Sequence, residues 1–220
     1  MAFILASASP RRRQLLRQVG ADFQVESSPV EEIKNLSLAP EEMIQGLALQ
    51  KAQAVAAMHH TGLVLGADTI VVNDGCILGK PVSEEDAAEM LRGLSGKWHE
   101  VMTAVAFVDA SGEKKPWLSV EKTKVKFRNL TEADIAAYLK TGESFDKAGA
   151  YGIQGYGALL VEKIDGCYFN VVGLPLQKVA LGLQNWGIHL YAYDGLQNER
   201  VSTVHTAAGT NGDAGCGTTE

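Results

Sequence analysis

Leu63-Val64-Leu65-Gly66-Ala67-Asp68-Thr69-Ile70-Val71-Val72 is an almost unbroken apolar run with one carboxylate inside it. The run reads as a buried strand over 63–72. A carboxylate in such surroundings is costly unless a lysine, a metal ion or a reacting water pairs with it. A structural salt bridge, or a strand edge that reaches solvent, would also account for Asp68.

Working outward, residues 3–6 read as a strand and 10–19 as a helix with Leu15, Leu16 and Val19 on one side. Residues 40–58 give the clearest amphipathic helix. A helix over 83–91 starts at Ser83 with Asp86 three residues on, and Thr131 and Asp134 repeat that capping pattern before a helix reaching about 140. Long strands are expected over 101–108 and 118–127, separated by the turn-rich stretch 109–115. A hairpin is expected from 158–163 and 168–172 around Asp165-Gly166, then a last helix over 174–186. This alternation predicts an α/β domain: a mixed, twisted β-sheet flanked by helices. The domain is expected over 1–190. Residues 206–220 are mostly Gly, Ala and Thr, so 191–220 reads as a disordered extension.

The formal net charge of −6 argues against a nucleic-acid polymer as partner but leaves room for a small anion at a local basic cluster. Cys76, Cys167 and Cys216 are far apart and odd in number, which suits a reduced, cytoplasmic setting. No apolar run approaches the ~20 residues of a membrane span, so no membrane partner is expected.

Three further constellations carry chemistry. Ser7-Ala8-Ser9-Pro10-Arg11-Arg12-Arg13 follows the first strand, with Ser9 as a natural N-cap and Pro10 suited to the first helical position. Backbone N–H groups, two hydroxyls and several guanidiniums would converge there on an anion such as phosphate; a capped surface helix with a solvated basic turn reads the same residues differently. Lys51 falls near the middle of the stripe formed by Ile44, Leu47, Ala48 and Val55, so it must snorkel out or enter a polar pocket. Lys80, in Gly79-Lys80-Pro81, is a candidate for the same pocket, although in isolation it reads better as an ordinary loop lysine. The stretch Gly149-Ala150-Tyr151-Gly152-Ile153-Gln154-Gly155-Tyr156-Gly157 lets the backbone approach a ligand closely, with Tyr151 placed to stack on a base and Gln154 to read its edge. It is neither a dinucleotide fingerprint nor a Walker loop, and alone it reads as a tight connection.

Taken in order, Leu5-Ala6-Ser7-Ala8-Ser9-Pro10-Arg11-Arg12, Glu31-Glu32, Lys51-Ala52, Gly66-Ala67-Asp68-Thr69, Gly79-Lys80-Pro81, the segment 99–103, and Asp146-Lys147-Ala148-Gly149 through Gln154-Gly155 resemble the Maf family. The resemblance implies a fold like that of the inosine-triphosphate pyrophosphatases with a central cleft. It implies hydrolysis of a nucleoside triphosphate to the monophosphate and pyrophosphate, with a divalent cation (Mg, Mn or Co) as cofactor and a homodimer as the assembly. By the same resemblance Asp68 is the proton acceptor, and Arg12, Thr69 and Gln154 govern substrate choice. Glu32, Lys51 and Lys80 line the cleft, Glu32 joining Asp68 at the metal. Glutamine at 154 resembles the dTTP/UTP type. The alternatives are a non-catalytic nucleotide sensor of septum formation, a phosphatase of small metabolites, and a purine-directed house-cleaning pyrophosphatase.

Overall fold

The computed structural model describes residues 2–29 and 37–190. Its centre is a seven-stranded sheet built from β1 (Phe3–Leu5), β2 (Gln24–Val25), β3 (Leu63–Asn73), β4 (Cys76–Leu78), β5 (Trp98–Asp109), β6 (Trp117–Phe127) and β7 (Val161–Asp165). The order is β2-β1-β3-β5-β6-β7, with β4 paired to the end of β3. The sheet is mixed, as expected: β1 runs parallel to β2 and β3, and the other pairs are antiparallel.

Period-two alternation along β3 sorts its side chains between the two faces. Val64, Ile70 and Val72 pack with Ile44, Leu47, Ala48 and Val55 of α2 (Pro40–Ala56). Leu63, Leu65 and Ala67 face the other way, toward Leu15 and Leu16 of α1 (Pro10–Gln18) and Val179 and Leu183 of α6 (Leu176–Gln184). Farther along that second face, Val71 and Val101 meet α3 (Glu84–Leu94) and α4 (Glu132–Leu139). The caps read from the sequence are present. Ser83 Oγ accepts the Asp86 N–H at 3.1 Å, and Thr131 with Asp134 forms the full reciprocal box.

Gly66 sets how closely α2 lies on the sheet. A Cβ there would stand 2.2 Å from the Ala48 carbonyl oxygen and 2.8 Å from the Ala52 nitrogen. Only glycine lets the helix backbone settle directly on β3, and that settling brings Lys51 over Asp68.

The expected hairpin over 158–163 and 168–172 does not form. β7 pairs antiparallel with β6, the segment Gly155–Leu160 is a 3-10 turn, and Tyr168–Val172 is a short helix, α5. A short apolar run does not distinguish strand from buried helix by periodicity. Here the helix wins because it carries Asn170 inward, where its amide donates to the Val101 carbonyl and to Thr123 Oγ1, both at 2.9 Å.

Candidate active site

β3 pairs with β5 from Leu63 to Val72 on one edge, but its other edge is covered only in part. β1 pairs with Leu63, Val64 and Leu65, and β4 pairs with Val71, Val72 and Asn73. Among the described residues, 66–70 therefore have no strand beside them on that edge. A cavity of about 680 Å³ opens at this gap, and because it lies at a sheet edge it reaches side chains from both faces, Asp68 from one and Thr69 from the other.

On the α2 face, Lys51 Nζ donates to Asp68 Oδ1 at 2.5 Å, both side chains being nearly buried. The lysine that interrupts the apolar stripe enters a polar pocket instead of snorkelling to solvent. Lys80, on the turn after β4, is exposed and lines the same cavity. Asp68 thus shares one hollow with Lys51, Lys80 and Arg12.

On the other face the loop after β1 forms a cradle. Ser9 Oγ accepts the Arg12 N–H at 3.5 Å, and Ser7 Oγ accepts from the Ser9 N–H and from Arg12 Nη1 at 3.3 and 3.2 Å. The Arg12 guanidinium also donates to the Gly173 carbonyl at 2.9 Å and to Thr69 Oγ1 at 3.1 Å. Thr103 Oγ1 donates to the Asn170 carbonyl at 3.1 Å, so the Thr69 hydroxyl gives its proton to Thr103 Oγ1 across 3.0 Å. The Thr69 hydroxyl hydrogen is committed to this chain. Its oxygen accepts from Arg12 and helps to fix that cation's pose.

The glycine-rich stretch forms the far wall. Gly149, at φ 68°, donates its N–H to the Gly79 carbonyl at 2.9 Å and so ties the stretch to the Lys80 turn. Gln154 is exposed and lines the cavity. Tyr151 departs from expectation. It borders the cavity, but the residue is only 5% exposed and its ring is enclosed by Phe127 and His99, with the hydroxyl on His99 Nε2 at 2.7 Å. No ring face is left for a base, so Tyr151 anchors the loop. Burial holds His99 at about 4, well below the ordinary imidazole value, and raises the Tyr151 phenol.

Arg11 lines the cavity and pairs with Asp146 at 2.9 Å, closing one side of the mouth. Burial pushes the Asp146 carboxyl upward, but hydrogen bonds from Lys147 and Arg11 outweigh it and hold the group below the usual carboxylate range. Arg13, expected beside Arg12, does not line the cavity; one helical residue further on, it projects about 100° around α1 from Arg12. Glu32, with Glu31, and the 191–220 extension lie outside the described residues. Thr103 and the Gly173 carbonyl were not foreseen. A polar Thr103 within Val101-Met102-Thr103-Ala104 is the same kind of interruption that drew attention to Asp68.

The donor set suits a hard divalent cation only in part. Among the described residues no three His, Cys, Asp or Glu side chains come together as a metal cage. Asp68 offers one carboxylate, with Oδ1 on Lys51. Mg²⁺-class ions take one or two carboxylates and complete their shell with water and substrate phosphates, so one such oxygen at a phosphate site fits that chemistry.

Residues 2–186 match the family described as Maf-like protein. The chain belongs to the Maf-like family. A relative from Acetivibrio thermocellus named dTTP/UTP pyrophosphatase is 50% identical over 192 residues, covering 84% of this chain and 95% of its own. One of the same name from a Geobacillus species is 51% identical over 184 residues, with 84% and 97% covered. Among solved structures, a HAM1 protein from Coxiella burnetii aligns with a TM-score of 0.48 at 13% identity over 84% of this chain and 99% of that one. In this Maf-like chain no helix among the described residues is long and apolar enough to cross a membrane.

Proposed function

We propose that this Maf-like protein hydrolyses dTTP and UTP to the nucleoside monophosphate and pyrophosphate. The observation that carries the reading is the Asp68 carboxylate, paired to Lys51 and facing the Arg12 cradle across one cavity. Asp68 orients a water and takes its proton as the water attacks the α-phosphorus. Lys51, Lys80 and Arg12 receive the charge that moves to the departing pyrophosphate. Ser7 and Ser9, at the start of α1, hold phosphate oxygens, and Arg11 can exchange Asp146 for a phosphate at the mouth. Gln154 faces the base, with an amide able to donate and accept at a pyrimidine edge.

A divalent cation (Mg²⁺, Mn²⁺ or Co²⁺), held by Asp68 and by Glu32, would neutralise phosphate charge and sharpen the acidity of the attacking water. The protein is read as a cytoplasmic homodimer, on the family resemblance. The test is a product assay over a nucleotide panel with and without each cation. Pyrophosphate released from dTTP and UTP ahead of purine nucleotides supports the reading. Inorganic phosphate as first product, or tight binding with no product, defeats it.

A further inference from the structure

Gln154 occupies the N-cap position of the 3-10 turn Gly155–Leu160, yet its own side chain makes no capping hydrogen bond. An uncapped N-terminus leaves backbone N–H groups without a partner, and the residue at that position is normally the one that supplies it. Here the partner comes from elsewhere. Glu143, on the turn that follows α4, accepts the Tyr156 N–H on Oε1 at 3.2 Å and the Gly157 N–H on Oε2 at 3.3 Å. Its carboxylate lies where a side chain at 155 would begin: a Cβ on Gly155 would stand 2.4 Å from Glu143 Oε1. Gly155, at φ 64°, is therefore required twice, for its backbone conformation and for this close approach. Lys147 Nζ donates to the Glu143 carbonyl at 2.5 Å and steadies the turn that carries the carboxylate.

The other side of Gln154 is held differently. Tyr151 and Ile153 are buried, and the loop closes on itself so tightly that a Cβ on Gly157 would lie 1.9 Å from the Gly152 carbonyl. Gln154 thus stands at an apex, pinned before by apolar burial and after by one borrowed carboxylate. We infer that Glu143 is a positioning residue for substrate choice: by capping the turn in place of Gln154, it frees the Gln154 amide to read the base. This rests on the proposed role of Gln154 toward pyrimidines. Without Glu143, the Gln154 amide is drawn back to the bare N–H groups of its own turn, and readout is lost while phosphate chemistry is spared.

The experiment measures kcat and KM for UTP, dTTP, CTP and GTP on the full-length wild type, Glu143→Ala, Glu143→Gln, Gln154→Ala and the Glu143→Ala/Gln154→Ala double variant. Glu143→Ala is expected to raise KM for UTP and dTTP about tenfold, with kcat within about threefold, and so to lower their preference over GTP. That split is the mark of lost ground-state recognition. Glu143→Gln, which keeps one acceptor oxygen, recovers part of the preference and keeps the measurement open if the alanine variant folds poorly. In the double variant the two losses must not add, because both act through one amide. Hydrogen exchange gives a readout independent of activity: the Tyr156 and Gly157 amides exchange faster in both Glu143 variants. Additive losses, or unchanged selectivity in Glu143→Ala while Gln154→Ala loses it, overturn this inference and leave the function standing. A wild type with no pyrimidine preference, or an indifferent Gln154→Ala, removes the reading beneath it and the inference together.

Discussion

The two walls of the cavity are held by opposite means. On the α2 face, Lys51 and Asp68 ride on a 17-residue helix and an 11-residue strand whose backbones touch at Gly66. Their placement follows from core packing, and neither can move without disturbing Ile44, Leu47, Ala48 and Val64, all fully buried. On the far wall, Gln154 sits on a loop whose shape comes from left-handed glycines, a buried tyrosine and one carboxylate from another turn. On the proposed function, the chemistry is built on rigid elements and recognition on a connection. Substitution can then alter which base is taken while leaving phosphoryl chemistry in place.

The comparison breaks most sharply at Asp68. Asp68→Asn keeps the shape and removes the charge and the basic oxygen. Turnover is expected to fall ~10²-fold or more, the scale of losing a general base, or about 3 kcal/mol of barrier. A variant near wild-type kcat in steady-state pyrophosphate release would take the chemistry away from this wall. Next comes Gly66→Ala. The added methyl meets helix backbone at 2.2 Å, not a flexible side-chain end, so α2 must lift. Overpacking of this kind costs about 3 kcal/mol of stability. Urea unfolding should show that loss together with lower activity, since Lys51 moves with the helix. Full stability with normal activity would mean that contact between helix and strand does not set the Lys51–Asp68 pair.

The same division governs what the sequence discloses. The α2–β3 wall was readable because polar residues interrupt regular apolar patterns there. Lys51 lies in an amphipathic stripe and Asp68 in a buried strand, and each pattern fixes where its exception points. Ser9 and Pro10 were readable as a helix start for a local reason, capping. The far wall follows no such period. Tyr151 looked like a stacking ring because its loop is glycine-rich, but His99 and Phe127, far away in sequence, enclose it. Tyr168–Val172 looked like a strand because five residues cannot reveal a helical period; the polar partners of Asn170 decide it, and they lie on β5 and β6. Glu143 shows no pattern at all, since its significance is two backbone N–H groups 13 and 14 residues later.

His99 offers the finest test of how the recognition wall is held, and it works through pH. Its ring is buried and bonded through Nε2 to the Tyr151 hydroxyl, while Nδ1 has no hydrogen-bond partner among the described residues. Burial lowers its value to about 4 from an ordinary 6.5. The folded protein therefore keeps the ring neutral where the unfolded chain protonates it, and the unfolded state binds the extra proton between those two values. Stability from this group is complete above pH 6.5 and drains as pH falls toward 4, below which both states carry the proton. At pH 5 the loss relative to neutral pH is about 2 kcal/mol. His99→Gln retains an amide for Tyr151 and does not titrate. Chemical denaturation at pH 7.5 and pH 5 should show wild type losing about 2 kcal/mol more than the variant. Equal losses would mean that the folded protein does not hold the His99 ring neutral at pH 5.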